Sequence, residues 1–486
     1  MKKMMYLFDL VAVLIFSTTA FGDNVTFQVD REFYPYYPSL IKWEKSKAPF
    51  TAPRVCGECH PDQYEEWRGS MHALAFHDPV YQGELNKAFQ EVGHGISRQC
   101  EGCHSPAGVV TEEIKGPGIS GLSEVALAGV SCDMCHSING ITHWQTPSHE
   151  PENGSFIMSP GYDSDTKEGY TLTKYSPFDS EKFCGIGHHE CRKNPLFLQA
   201  ELCASCHQVY HYESHFPFES TYLEWKHGPY AQKDIVCQDC HMVETETFLR
   251  SADNFQKPWR NEYKHYFNGA NYLLYFLAGK AAEKSGDQDL VANLAKKYEM
   301  AVARLQAAAG LEITPIYLDK TITEIRVRVK NLRAGHNLPT SLTSIRQMWL
   351  ELIITDQNGK TLLESGMLDD DGQLRENTRI FNSSGMDDNF HFAVDPWMVT
   401  SFSRNDTIKP RGYRDVNYGV RITDETVELN VKASLRYRQA DQKLAEKILG
   451  HLPESINLEK IYGVTEVPKL PIVDMVSEET VFKAKN

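Results

Sequence analysis

Five pairs of cysteines, each followed directly by a histidine, are the residues of this chain whose spacing indicates chemistry. In each pair, two thiols three positions apart lie on the same side of one helical turn, and the next residue offers an imidazole. Two such thiols can add to the two vinyl groups of one porphyrin while the imidazole binds its iron, which is the attachment pattern of a c-type haem. The motifs, numbered 1 to 5 in chain order, are Cys56–His60, Cys100–His104, Cys132–His136, Cys203–His207 and Cys237–His241.

The motifs predict five c-type haems as cofactors. Zinc knuckles also use Cys-x-x-Cys pairs, but they do not require a histidine directly after the second cysteine. The predicted haem-attachment residues are Cys56, Cys59, Cys100, Cys103, Cys132, Cys135, Cys203, Cys206, Cys237 and Cys240. The predicted iron ligands within the motifs are His60, His104, His136, His207 and His241.

A second histidine on each iron would have to come from outside the motifs. His72 is a candidate because it follows motif 1 in a Ser-x-His-Ala pattern, and His94 because glycine flanks it on both sides. His265 and His336 are candidates because each lies in a polar patch with no evident packing role. Further histidines stay open as ligands: His143, His149, His188, His189, His211, His215 and His227. We expect His391 and His451 to lie on the surface.

The N-terminus has the pattern of a secretory signal peptide over residues 1–22. Lysines at positions 2 and 3 precede a largely apolar stretch from Tyr6 to Phe16, and Ala20-Phe21-Gly22 is a small-x-small cleavage site. No later stretch has the roughly 18 apolar residues needed to span a bilayer. We therefore expect an exported bacterial protein, periplasmic or extracellular, without a transmembrane segment in the mature chain.

The net charge of the chain indicates which classes of partner it can bind. The chain has 50 basic and 65 acidic residues, a formal net charge of −15. This acidity argues against nucleic acid and anionic membrane surfaces as partners. It suits docking to basic patches on redox proteins, so donor and acceptor proteins, including other multihaem cytochromes, are the expected partners.

The sequence predicts an α+β multidomain chain. Residues 23–250 carry the motifs and predict a mostly helical and loop pentahaem cytochrome c domain. Residues 251–312 predict a helical connector, with Leu290, Leu294, Tyr298, Val302 and Leu305 at helical spacing and Gly310 as a stop. From 313 to 486 apolar residues alternate, as at 427–437, and 356–359 predicts a hairpin turn. This last part is expected to be a C-terminal β-sandwich of immunoglobulin-like type.

Several segments resemble the multihaem c-type cytochromes grouped around the tetrahaem cytochrome c-554. They are Trp67–Ala73, Gly129–His136, Cys237–Met242, His265–Asn271 and Gly335–Thr340, within residues 50 to 365. The resemblance implies electron transfer through closely stacked haems, most of which have two histidine ligands. Tyr64–Arg68 and Tyr222–Lys226 also look like one element used twice, either as a tryptophan-bearing helix against a haem face or as an ordinary amphipathic helix.

Cys184 and Cys191 lie outside the motifs. They can form a disulfide, which fits an oxidising compartment. Cys184-Gly185-Ile186-Gly187-His188 also has the form of a motif whose second cysteine is glycine. Three interpretations therefore stay open: a plain disulfide between Cys184 and Cys191, a decayed haem site whose remaining thiol pairs with Cys191, and a sixth haem held by one thioether.

Three function classes fit these observations. The first class is an electron carrier: irons closed by two histidines pass electrons and bind no substrate. A redox enzyme acting on a small nitrogen or sulfur compound needs one open iron, and no Cys-x-x-Cys-Lys motif marks one. A scaffold could dock through the β region, although fold alone does not decide function. We favour the carrier and predict no catalytic residue.

Overall fold

The computed structural model describes residues 50–141, 148–158, 172–179, 189–258, 262–423 and 425–485. The predicted signal peptide, residues 1–22, lies outside the described residues. Among the helices described, none is long and apolar enough to cross a bilayer. Most helices precede residue 309 and most strands follow it, so the chain combines a helical region with a β region.

The motif region, residues 50–258, consists of short helices joined by loops. They are α1 (Pro53–Gly57), α2 (Pro61–Trp67), α3 (Met71–Leu74), α4 (Pro79–Val92), α5 (His94–His104), α6 (Pro106–Val110), α7 (Glu124–Leu127), α8 (Cys132–His136), α9 (Glu201–Ala204), α10 (Thr221–Lys226), α11 (Cys237–His241) and α12 (Thr245–Asn254). Proline begins α1, α2, α4 and α6, where its missing N–H costs no helical hydrogen bond. Serine side chains cap α3, α7 and α8 by accepting backbone N–H bonds. Local signals therefore set the start of many of these helices.

Four short strands lie between motifs 3 and 4. They are β1 (Ile138–Ile141), β2 (Phe156–Met158), β3 (Leu172–Ser176) and β4 (His189–Lys193). β1 pairs with β2 antiparallel, and β3 pairs with β4 in parallel. The second pair brings His189, at the start of β4, close to motif 1.

Two longer helices form the connector, α13 (Tyr272–Ser285) and α14 (Gln288–Ala308). Leu294 and Leu305 are buried in the main core, as their helical spacing predicts. The helical composition extends back to Tyr263, but residues 263–271 are not helical. Their backbone bonds elsewhere instead: the His265 N–H donates to Glu66, and the Asn268 carbonyl accepts from the His241 ring.

The β region begins directly after α14, at Ala309. Its strands are β5 (Ala309–Leu318), β6 (Thr321–Asn331), β7 (Gln347–Asp356), β8 (Thr361–Ser365), β9 (Arg379–Ile380), β10 (Ser383–Met386), β11 (Ser401–Asn405), β12 (Tyr413–Gly419), β13 (Glu428–Arg438) and β14 (Val473–Lys483). One antiparallel sheet has the order β12-β6-β5, and a second has the order β14-β13-β7-β8, with β9 also paired to β7. β10 and β11 form a separate hairpin. Two further helices, α15 (Gln442–Leu449) and α16 (Leu458–Tyr462), lie between β13 and β14.

The alternating pattern of β13 places one face of the strand in the core. Leu429, Val431, Ala433 and Leu435 are fully buried, and Ile325 of the other sheet belongs to the same hydrophobic cluster. The two sheets therefore share one core, as in a β-sandwich. The hairpin predicted at 356–359 joins β7 to β8.

The β region packs closely against the motif region. Helix α15 lies against α4, where the Ile448 carbonyl would meet any side chain placed at Gly83. Lys87 of α4 pairs with Asp395 across the boundary, with Nζ and Oδ1 2.5 Å apart. The walls around the motifs therefore come from both regions.

Candidate metal centres in one cavity

All five motifs open into a single cavity of about 1590 Å³. Every one of the ten motif cysteines and the five motif histidines lines it. The β region also contributes to the wall, through residues that include His336–Leu342, Ile345 and Arg346. One space therefore gathers the residues that the sequence predicts to bind haem.

Three motif histidines donate a hydrogen bond from Nδ1 to a backbone carbonyl. Nδ1 of His104 donates to the Ala75 carbonyl over 2.9 Å, and Nδ1 of His136 donates to the Tyr175 carbonyl over 2.6 Å. His241 does the same to Asn268 over 2.8 Å. A proton held on Nδ1 leaves Nε2 as the atom with a free lone pair, which is the arrangement of a metal-binding imidazole.

Four motif histidines each face a second histidine ring across the cavity. The pairs are His60 with His189 (ring centres 6.3 Å apart), His207 with His72 (6.4 Å), His136 with His265 (6.4 Å) and His241 with His336 (6.3 Å). Two imidazoles bound on opposite sides of one metal atom, at bonds of about 2 Å each, place their ring centres about 6 Å apart. The four spacings therefore fit one iron between each pair.

Burial keeps four histidine rings of the cavity neutral. Removal from water lowers the pKa of His72 and of His241 to about 3, and that of His104 and of His136 to about 4. A buried imidazole must be neutral to offer a lone pair to a metal. The cavity thus favours the protonation state that ligation requires.

Motif 2 differs from the other four. Within the described residues no histidine ring faces His104, and the Tyr81 ring stacks on it instead, with centres 3.8 Å apart and planes 4° apart. Two of the sequence candidates, His143 and His188, lie outside the described residues. His94 is close in sequence, but its Nε2 lies 3.2 Å from Oε2 of Glu101, and it does not line the cavity.

Among the other sequence candidates, His211 has a defined structural role. Its Nε2 donates to the Trp397 carbonyl over 2.8 Å, and its Nδ1 accepts from two backbone N–H groups. Both nitrogens are therefore used by the protein. Of the seven equivalent candidates, and among those that the structure describes, His189 faces a motif histidine, although nothing in its local sequence distinguishes it.

Cysteines of different motifs touch inside the cavity. The thiols of Cys56 and Cys132 are hydrogen-bonding neighbours, which joins motifs 1 and 3. The thiols of Cys103 and Cys206 join motifs 2 and 4 in the same way, and those of Cys203 and Cys237 join motifs 4 and 5. Cys206 also lies in the electrostatic environment of Cys135 of motif 3. Motif 4 is thus the neighbour of three others.

The two similar segments of the sequence occupy equivalent places. The Trp67 indole donates to the Val130 carbonyl over 2.9 Å, and the Trp225 indole donates to the Ile235 carbonyl over 2.8 Å. Each carbonyl lies two residues before the first cysteine of a motif, motif 3 or motif 5. The tryptophan-bearing helices therefore each hold the entry to a motif.

Cys191 is disulfide-bonded. The ten motif cysteines are free of disulfides. Cys184, its predicted partner, lies outside the described residues, as does His188.

Comparison with known proteins identifies the type of site. Residues 55–137, which contain motifs 1 to 3, match the family model described as cytochrome c554 and c-prime. The fold is similar to the crystal structure of a penta-heme cytochrome c552 from Thermochromatium tepidum, with a TM-score of 0.59 and 19% identity over 90% of this chain and 100% of that chain. No curated protein matches the chain. The resemblance to c554-type cytochromes is confirmed, and c-type haem is the group that the cysteines and paired histidines of the cavity fit.

Proposed function

We propose that the chain is a multihaem c-type cytochrome of the c554 type, which transfers electrons through five covalently bound haems, one at each motif. The observation that carries this proposal is the set of four facing histidine pairs in a cavity lined by all five motifs. The Thermochromatium tepidum protein, a penta-heme cytochrome of similar fold, supports the count of five.

We assign His189, His72, His265 and His336 as the second ligands of the haems at motifs 1, 4, 3 and 5, respectively. A c-type haem supplies reversible one-electron redox chemistry when it is bound. Histidines on both faces close the iron to other ligands, so these four sites conduct electrons without binding substrate. The chain's own part is to position each imidazole and to exclude water from it.

The contacts between motif cysteines support an order for the proposed conducting sites. Motif 1 touches motif 3, motif 3 lies beside motif 4, and motif 4 touches both motif 2 and motif 5. The proposed path is therefore branched, with motif 4 at the junction. Electrons that enter at motif 1 would reach motifs 2 and 5 through motif 4.

The branch point gives a sharp test of this path. Replacing Cys203 and Cys206 by alanine removes the haem of motif 4 and should slow redistribution of a rapidly injected electron among the remaining haems. The matched control replaces Cys237 and Cys240, which also removes one haem but at the end of a branch. Equal redistribution rates in the two variants would contradict the junction.

The expected partners are redox proteins that donate or accept electrons, including other multihaem cytochromes, and the expected location is the periplasm or the cell exterior. The net charge of −15 supports docking to basic patches on such partners. Salt should therefore weaken the association, because charge–charge attraction between exposed groups is screened.

A second candidate function is ligand chemistry at motif 2. His104 is the one motif histidine that faces no second histidine among the residues described. Glu84 lines the same cavity, and both of its carboxylate oxygens are buried without a hydrogen-bond partner. An open iron beside a buried acid suits a small nitrogen or sulfur compound that gains or loses protons as it is reduced or oxidised.

Ligand binding tests this second function. One equivalent of carbon monoxide should bind the fully reduced protein per five haems, and nitrite, hydroxylamine and sulfur oxyanions are the compounds to assay. Failure of carbon monoxide to bind would mean that motif 2 is closed and that the protein is a carrier only.

A further inference from the structure

We propose that the segments Tyr64–Trp67 and Tyr222–Trp225, here called the clamp segments, position both histidine ligands of one haem each. The first serves the haem of motif 3, and the second serves the haem of motif 5. In each clamp segment the tryptophan fixes the chain that enters the motif, and the glutamate before it fixes the loop that carries the second histidine. This inference rests on the proposed ligand pairs His136–His265 and His241–His336.

The tryptophan contacts are the same in both clamp segments. Each indole donates to the carbonyl two residues before the first motif cysteine, over 2.9 and 2.8 Å. One residue earlier, the chain adopts a left-handed conformation in both places, with φ of 61° at Gly129 and 55° at Asp234. The same backbone turn therefore leads into motifs 3 and 5, and the same side chain holds it.

The glutamate contacts are also equivalent. Oε2 of Glu66 accepts from the backbone N–H of His265 over 2.9 Å. Oε2 of Glu224 accepts from the backbone N–H of Asn337, the residue after His336, over 3.1 Å. Both loops come from regions far along the chain, so each glutamate brings a remote histidine to its motif.

Additional bonds hold each carboxylate in place. Oε1 of Glu66 lies 2.9 Å from Nζ of Lys264, beside His265. Oε2 of Glu224 also accepts from the Thr340 hydroxyl over 2.5 Å. The ion pair with Lys264 makes the bonding of Glu66 charge-assisted, and such bonds are among the stronger ones in a protein. Loss of the carboxylate would therefore free the histidine loop as well as leave its N–H groups unpaired.

The chain differs between the two places just after each clamp segment. This difference shows that the shared contacts belong to the clamp segments and not to a longer repeated stretch. Five residues after each tryptophan stand His72 and Tyr230. His72 faces His207, whereas the Tyr230 hydroxyl donates to the Ala252 carbonyl over 3.2 Å. The glutamate and tryptophan contacts are present in both places although the residue at this position differs. They therefore do not depend on a ligand histidine after the segment.

The test compares Glu66→Ala, Glu66→Gln and Glu65→Ala in the full haem-loaded protein. Electron paramagnetic resonance measures low-spin and high-spin haem, and intact mass counts the haems. We expect Glu66→Ala to move up to one haem equivalent from low-spin to high-spin with no loss of haem. Glu66→Gln should keep the low-spin signal, because the amide oxygen still accepts the His265 N–H. Glu65, whose side chain is 51% exposed, is the matched control. Its replacement should leave the low-spin signal and the haem count unchanged.

The variant His265→Ala separates the clamp from the ligand assignment. If His265→Ala leaves every haem low-spin, the proposed ligand pair is wrong. If His265→Ala produces a high-spin haem but Glu66→Ala does not, the ligand pair stands and the clamp is overturned. The same comparison at Glu224 and His336 must give the same pattern, and a Glu224→Ala variant with unchanged spectra would also overturn the clamp.

Discussion

His241 and His336 face each other with ring centres 6.3 Å apart and planes 18° apart. The first belongs to motif 5 in the helical region, and the second follows β6 of the β region. A metal atom between them would join the two regions directly. In the proposed ligand set, the β region therefore completes a metal centre as well as covering the cavity.

The first prediction concerns this connection. Replacing His336 with alanine removes the second ligand at motif 5, so one haem should change from low-spin to high-spin while the haem count stays constant. Optical and resonance spectra of the oxidised protein measure the change. His391, an exposed histidine of the same region, is the matched control, and its replacement should leave the spectra unchanged. An unchanged spectrum for His336→Ala would contradict the assignment.

The second prediction concerns the entry to motif 3. Trp67→Phe removes the indole N–H and leaves the Val130 carbonyl without this donor. We expect the free energy of unfolding to fall by about 1 kcal/mol, the typical contribution of one such hydrogen bond. Urea unfolding of the haem-loaded protein measures the loss. Phe390→Leu, at a side chain 77% exposed, should cost nothing measurable, and equal effects would show that the indole bond is unimportant.

The third prediction concerns Glu84, beside motif 2. Burial raises the pKa of Glu84 to about 7, and the thiol of Cys100 lies within its field. The carboxyl is neutral below that pH and negative above it, and a nearby negative charge favours the oxidised iron. The midpoint potential of one haem should therefore fall, on the order of 50 mV, as pH rises through about 7. The charged groups that face Glu84 are Lys87, Glu91, Asp395 and Lys447.

Glu84→Gln should abolish that pH dependence, since the amide does not titrate. Redox titrations of both proteins at pH 6 and pH 8 make the comparison. A pH dependence that persists in Glu84→Gln would assign the titration to another group.

Local spacing in the sequence predicts the five motifs, but it does not predict which histidines face them. The alternation at 427–437 and the turn at 356–359 are short-range patterns, and the structure has the strand and the hairpin that they predict. The pairing of His60 with His189 joins residues 129 positions apart, so no local pattern marks it. His94 shows the converse. Its glycine neighbours are distinctive, yet its ring contacts the Glu101 carboxyl group and not a motif.

For the two tryptophan helices, the sequence predicts their likeness but not the contacts that they share. Their likeness is visible in the residue types, but the partners Val130 and Ile235 become equivalent only when each is counted back from its motif. Among the described residues no histidine lies opposite His104, and this has no sequence signature, because it depends on which loops fold over motif 2. Tertiary structure therefore decides which irons are closed.

The most direct test of this account is low-temperature electron paramagnetic resonance of the oxidised protein, with total haem and intact mass measured on the same sample. The four histidine pairs, and His104 with no histidine facing it among the described residues, predict five haems, of which four are low-spin and about one is high-spin. Five low-spin haems would contradict the open position at motif 2, and more than one high-spin haem would contradict the histidine pairs themselves.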